Sequence, residues 1–178
     1  MGRNRTSASG KKRKLFAPRT AKQYFAMPER SRDIWNRVTH VVSKMRADKL
    51  SLQQTSREFG LDPHTVLGLV RPTLRKNKSG RYAAKRSDKL LRVLVVPTPE
   101  GLRETTTRDS RQASLVGEYG AAVEKYLRTG DASTLERFRR KRVIDASRKR
   151  IPLLTDLDEL DRQASAGVLS FESLYVGG

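Results

Sequence analysis

The chain has 178 residues, a formal net charge of +19 and no cysteine, which excludes disulfides, Cys-ligated zinc and thiol catalysis. Only 36% of its residues are hydrophobic and 32% are charged, so a modest core is expected beside a segment too polar to order itself. No apolar run of about 18 residues, the length a membrane span needs, is present, and no apolar stretch follows the basic start, so neither spanning nor secretion is expected.

A charge of this size repels itself in a compact chain unless a polyanion relieves it, which makes nucleic acid the expected partner and an anionic membrane surface the lesser alternative. Residues 1–22 carry only basic charges, Arg3, Arg5, Lys11, Lys12, Arg13, Lys14, Arg19 and Lys22, among small polar residues. They predict a flexible basic arm, taken to residue 27, in which the run Lys11, Lys12, Arg13 and Lys14 binds phosphates; a solubilising tail explains the same composition.

From Pro28 to Lys49 the residues Ile34, Trp35, Val38, Val41, Val42 and Met45 form one apolar stripe at helical spacing. The lone Trp35 lies on that stripe and is expected in the core. The other face carries Arg32, Arg37, His40, Lys44 and Arg46, facing either phosphates or water.

The stretch 51–70, SLQQTSREFGLDPHTVLGLV, opens with Ser51 and Gln54 at capping-box spacing, which predicts a helix to about Phe59. Gly60 supplies the positive φ that ends a helix and Leu61 an apolar corner residue. Asp62 is a fitting cap and Pro63 a fitting first position for a second helix.

A small residue, a glycine four later, an apolar residue next and two further apolar positions stand here as Ser56, Gly60, Leu61, Val66 and Leu69. In these twenty residues the chain resembles the bacterial helix-turn-helix superfamily, and is similar to the small DNA-binding domains appended to resolvases and sigma-like factors. In that arrangement the small residue lets two helices approach, and Val66 and Leu69 pin the second helix. The resemblance implies that Pro63, His64, Thr65, Leu67, Gly68 and Arg71 face a major groove, with Arg71 on a guanine, His64 and Thr65 on base edges or phosphates, and Leu67 on a thymine methyl. The motif departs from a typical reader in being apolar nearly all round at VLGLV.

After Pro72, Arg75, Lys76, Lys78, Arg81, Lys85, Arg86, Lys89 and Arg92 face one acid, Asp88, which predicts a basic loop, a wing or linker tracking phosphates. Tyr82 within it either stacks on a base or anchors the loop. Residues 90–109 contain branched apolar residues around a Pro-Thr-Pro-Glu-Gly turn, a predicted β-hairpin. Ala113, Val116, Tyr119, Gly120, Val123, Tyr126 and Leu127 at helical spacing predict a long helix stopped by Gly130. Ser133 can cap a short helix to Phe138, and a second hairpin is expected around Ala146 and Ser147. Thr155 is then the expected cap of an acidic helix. From Leu153 onward there are five acids and one base, a net −4, which leaves +23 on residues 1–152.

The acids Asp156, Asp158, Glu159 and Asp161 fit either a divalent metal or the first turn of that helix, and helix-dipole complementarity explains them without metal. No enzyme, metal site or cofactor is expected. The expected class is α+β: an arm (1–27), a three-helix helix-turn-helix unit (28–74), a basic linker or wing (75–88) and a small α+β domain with β-hairpins (89–178), the last pairing subunits as a homodimer or meeting a protein partner. The function so expected is sequence-specific binding of double-stranded DNA in a cytoplasmic, nucleoid-associated transcriptional regulator. Three alternatives remain open: an RNA- or ribosome-associated protein, an accessory protein of a mobile element or phage, and a metal-dependent nuclease built on the acidic residues.

Overall fold

The computed structural model describes residues 15–169, and among them the expected α+β class is observed: six α-helices and three two-stranded antiparallel hairpins. Helix α1 (Ala21–Ala26) leads into α2 (Glu29–Asp48), α3 (Leu52–Glu58) and α4 (Pro63–Val70). The hairpin β1 (Leu74–Lys76) with β2 (Tyr82–Ala84) follows, then β3 (Arg92–Thr98) with β4 (Gly101–Thr107). Helix α5 (Ser110–Thr129), the hairpin β5 (Arg142–Ile144) with β6 (Arg150–Pro152), and α6 (Leu157–Ser165) complete it.

The helix starts and stops were legible from their caps. Ser51 and Gln54 form the reciprocal capping box at the start of α3. At its end Gly60 takes φ +67°, Leu61 N–H donates to the Ser56 carbonyl at 2.9 Å and Gly60 N–H to that of Arg57 at 3.1 Å, the paired bonds of a Schellman turn. Asp62 then caps α4 through His64 N–H at 2.9 Å. Gly130, at φ +76°, ends α5 as expected.

Elsewhere the chain departs from the pattern. The arm expected to reach residue 27 is helical from Ala21, because Thr20 caps α1 and Tyr24 and Met27 are buried in the N-terminal core. The basic loop after Pro72 is a hairpin, with Leu74 opposite Ala84, Arg75 opposite Ala83 and Lys76 opposite Tyr82. On α4 the fully buried residues are Val66 and Val70, while Leu69 is only half-buried. No side chain caps the turn Leu135–Phe138, which is 3₁₀ rather than α, and Asp156, not Thr155, caps α6 through Glu159 N–H at 3.0 Å.

Two hydrophobic cores share one wall. Trp35, Val38, Val41, Val42 and Met45 of α2 pack with Val66 and Val70, with Leu91 just before β3 and with Val93 within it. The next residues of that strand, Leu94 and Val96, point to the second core, built on Val116, Tyr119 and Val123 of α5 with Phe138, Val143, Ile151 and Leu160. The alternation of a β-strand thus gives β3 one face in each core. Trp35 is 1% exposed and its indole N–H donates to the Leu91 carbonyl at 2.8 Å, so the tryptophan is a core residue, with its one polar atom satisfied.

Asp88 fastens the two cores together. Its carboxylate accepts from Arg92 at 2.5 and 2.9 Å, from Arg46 at 2.7 Å and from Leu90 N–H at 3.0 Å, and the side chains of Asp88 and Arg92 are 0% and 1% exposed. Arg46 also donates to the Lys85 carbonyl at 2.7 Å, and Asp88 N–H to Ser110 Oγ at 3.2 Å. Burial alone pushes the Asp88 carboxyl up, but the hydrogen bonds and charges of Arg92, then Arg46 and the Leu90 N–H, more than offset it and hold the group below its ordinary value.

Two expected outcomes follow from this packing. A carboxyl depressed in the folded state stabilises above its unfolded value of about 3.9 and loses that contribution as pH falls through the lower folded value. Asp88→Asn should therefore cost about 3–5 kcal/mol at neutral pH, since it leaves Arg92 buried without a counter-charge. The variant should also lose less stability than the wild type as denaturant melts are taken below about pH 3.9, the difference being the contribution of Asp88; a cost under about 1 kcal/mol would show that the pair is dispensable. The Ser56 hydroxyl is buried and makes no hydrogen bond among the described residues, so smallness rather than polarity explains the residue. Ser56→Ala should leave thermal stability unchanged or raise it by up to about 1 kcal/mol, whereas Ser56→Leu should lower it by about 1–3 kcal/mol.

Candidate nucleic-acid interface

Two consecutive elements, α4 and the hairpin β1–β2, place the expected contact residues. Asp62 and Pro63 start α4 so that Val66 and Val70 face the core, which leaves His64, Thr65 and Gly68 exposed, and Arg71 exposed just beyond its end. Leu67, expected to point fully outward, is half-buried against the N-terminal core. The expected apolar character of this helix therefore has two causes: Val66 and Val70 are core residues, and Leu67 lies along its margin.

The chain passes through the 3₁₀ turn Arg71–Thr73 directly into β1. The hairpin tip is organised by Asn77, whose side-chain oxygen accepts from Ser79 N–H at 3.2 Å, Ser79 Oγ at 2.7 Å and Arg81 N–H at 3.0 Å, while Gly80 sits at φ +80°. Arg75, Lys76, Lys78 and Arg81 are all exposed on this hairpin. Tyr82 is half-buried against the N-terminal core and its ring carries the Lys76 ammonium 5.9 Å from its centroid, which is the anchoring role.

The hairpin tip lies beside α4. His64 and Leu67 of α4 and Gly80, Arg81 and Tyr82 of the hairpin line, together with residues of α3, a single groove of about 340 Å³. Thus His64, Leu67 and Arg81 are brought together, Thr65, Gly68 and Arg71 continue along α4, and Arg75, Lys76 and Lys78 continue along the hairpin. The expected phosphate contacts Lys11, Lys12, Arg13 and Lys14 lie outside the described residues. Gln53 and Arg57 of α3 also line the groove. They were missed because the motif directs attention to the second helix, although their exposed positions opposite the buried Leu52, Thr55 and Ser56 follow from helical spacing.

Ion pairing engages part of the basic face of α2. On α2, Arg37 pairs with Asp33 at 2.5 Å, Lys44 pairs with Glu58, and Arg46 is engaged by Asp88. The Lys44 ammonium is held above its ordinary value by the hydrogen bond it donates to the Glu58 carboxylate. His40 stacks on Phe59 with ring centroids 5.8 Å apart. Arg71, Arg75, Lys76, Lys78 and Arg81 are exposed and make no salt bridge among the described residues, and of the five Lys76 alone lies over an aromatic ring, that of Tyr82.

The acidic residues near the chain's end are dispersed into local roles. Asp156 caps α6, Glu159 pairs with Arg162, and Asp161 accepts from the Tyr126 hydroxyl at 2.9 Å. Among the described residues no group of three His, Asp or Glu side chains could hold a metal ion, and no helix is long and apolar enough to cross a membrane. No protein-family model, curated protein or solved structure matches the chain.

Gly68 offers a test that separates fold from contact. A Cβ added there meets nothing within 4 Å, and the glycine lies inside a helix where alanine is favoured by about 0.8–1 kcal/mol. Gly68→Ala should therefore raise the thermal midpoint, and if this face of α4 is a contact surface for a duplex the added methyl should at the same time weaken duplex binding. A variant that is stabilised and binds as tightly as wild type would place this face of α4 away from the nucleic acid.

Proposed function

We propose that the chain binds duplex DNA in a sequence-dependent way, with α4 in the major groove and the β1–β2 hairpin on the flanking phosphates, as a transcriptional regulator does. The observation that carries the reading is the unpaired basic surface formed by Arg71, Arg75, Lys76, Lys78 and Arg81 beside the exposed face of α4. An eight-residue helix is about 12 Å long, close to the width of the major groove, and its exposed first turn carries His64 and Thr65 while its end carries Arg71.

The roles divide by chemistry. Arginine and lysine on the hairpin neutralise phosphates and release counterions, which supplies affinity that falls steeply with salt and carries no sequence information. Arg71 presents a planar fork suited to the acceptor pair of a guanine edge. His64 and Thr65 offer the shorter hydrogen-bonding groups, and the low profile of Gly68 allows the helix backbone to come close. The basic residues Lys11 to Lys14 add phosphate contacts in this reading, and a nucleoid-associated location follows from it.

The decisive experiment is selection of bound duplexes from a random library near physiological salt with excess structured RNA present. An enriched sequence is the expected result, and Arg71→Ala should weaken binding to it by about 1–3 kcal/mol while leaving binding to unrelated duplexes nearly unchanged. Retention of the chain by the RNA without any enriched duplex would remove the reading and favour an RNA-associated protein.

A further inference from the structure

Unpaired positive charge collects in a second place, on the C-terminal core. Between Arg137 and Arg150 the sequence holds eight basic residues and one acid, Asp145, and all eight bases are exposed. Arg137 pairs with Glu118 at 2.8 Å and Arg139 approaches Glu136 at 4.0 Å. Arg140, Arg142, Arg148, Lys149 and Arg150 make no salt bridge among the described residues.

The hairpin is built so that its only acid does not cancel this charge. The Asp145 side chain is 10% exposed and accepts from Ser147 Oγ at 2.7 Å and Lys149 N–H at 2.8 Å, with Arg103 at 4.0 Å. It is thus engaged inside the turn. Register does the rest: Val143 pairs with Ile151 and both are buried, so the flanking Arg142, Ile144 and Arg150 share the outward face. At the tip Arg148 is held at φ +62°, a left-handed conformation that glycine or asparagine would adopt more readily, by its N–H donating to the Asp145 carbonyl at 3.0 Å. A guanidinium is therefore kept at the turn where the backbone favours another residue.

Building on the duplex-DNA reading above, we propose that the β5–β6 hairpin is a second DNA-contacting surface that grips the phosphate backbone, so that each core carries one hairpin bearing on DNA. The chemistry fits the backbone rather than the bases. The outward side chains are arginines and lysine, and the groups that read base edges most often besides arginine, asparagine and glutamine, are absent from residues 137–150. Contacts of this kind fix orientation and affinity without changing the preferred sequence.

The test uses the full chain carrying Arg142→Gln, Lys149→Gln and Arg150→Gln, with duplex affinity measured across a salt series. Each lost phosphate contact reduces the slope of log affinity against log salt by about 0.9, so the triple variant should lose about 2–3 while selecting the same sequence as wild type. A control triple of equal charge change on other surfaces, Arg30→Gln, Lys49→Gln and Lys125→Gln, should keep the wild-type slope, and so should the charge-conserving pair Arg142→Lys and Arg150→Lys. The substituted side chains are exposed, so the thermal midpoint reports whether the fold is intact. A wild-type slope in the hairpin triple, or an equal loss in the control, overturns the second surface and leaves the α4 reading standing. A wild-type chain that does not bind duplex DNA overturns both.

Discussion

A buried carboxylate with two arginines on it can exist only if all three are in place together. Removing Asp88 from water is unfavourable on its own, and the arrangement is stable because Arg92 meets it with two hydrogen bonds, Arg46 with a third and Leu90 N–H with a fourth. Those partners come from α2, from β3 and from the segment between them, while the Asp88 backbone is tied to Ser110 at the start of α5. The requirement to satisfy one charge therefore fixes the relative placement of three segments, and the backbone bond to Ser110 ties in a fourth. Arg46 reaches further, to the Lys85 carbonyl just after β2, so the base of the β1–β2 hairpin is set by the same cluster.

This placement explains why some basic residues of a +19 chain are internal supports and others are not. Acids are few, and the fold uses them near α2, α5 and α6, where Asp33, Glu58, Asp88, Glu118, Glu124 and Glu159 each engage a basic neighbour. The two short hairpins are left with almost no acid of their own, and the single exception, Asp145, is turned into its own loop. Self-repulsion among exposed arginines is unfavourable in the free chain and is relieved by a polyanion, so the same residues that weaken the isolated fold strengthen a complex.

What the sequence disclosed depended on whether a residue's job was local. The capping box at Ser51, the turn at Gly60 and the stop at Gly130 are decided within five or six residues, and each was legible. So were the stripe of α2 and the long hairpin β3–β4, whose periodicities extend over many residues. Helix α1 was hidden because Tyr24 and Met27 order it through contacts with distant residues, inside a segment whose basic composition reads as an arm. The hairpin β1–β2 was hidden because three-residue strands are too short to show alternation, and only the Leu74–Ala84 and Lys76–Tyr82 pairing reveals it. On α4 and at Arg71 just beyond it, the outward positions implied by the helix-turn-helix resemblance are exposed apart from Pro63, which is half-buried, and Leu67, whose partial burial depends on neighbours outside the motif. The pairing of Lys44 with Glu58 and of Arg46 with Asp88 is likewise tertiary and invisible in a single sequence, whereas Asp33 and Arg37 are a local pair four residues apart on one helix.

The shared wall at β3 bears on how such a chain can be inherited. A boundary drawn at residues 88 and 89 looks natural in the sequence, yet Leu91 and Val93 beyond it complete the N-terminal core, and the Leu91 carbonyl satisfies the indole of Trp35. A gene fragment cut there would encode helices with an open apolar face and an unsatisfied tryptophan, and its complement would begin with a strand apolar on both sides. Recombination that shuffles ready-made modules between proteins would be penalised at this joint, so the two halves are bound to travel and to change together.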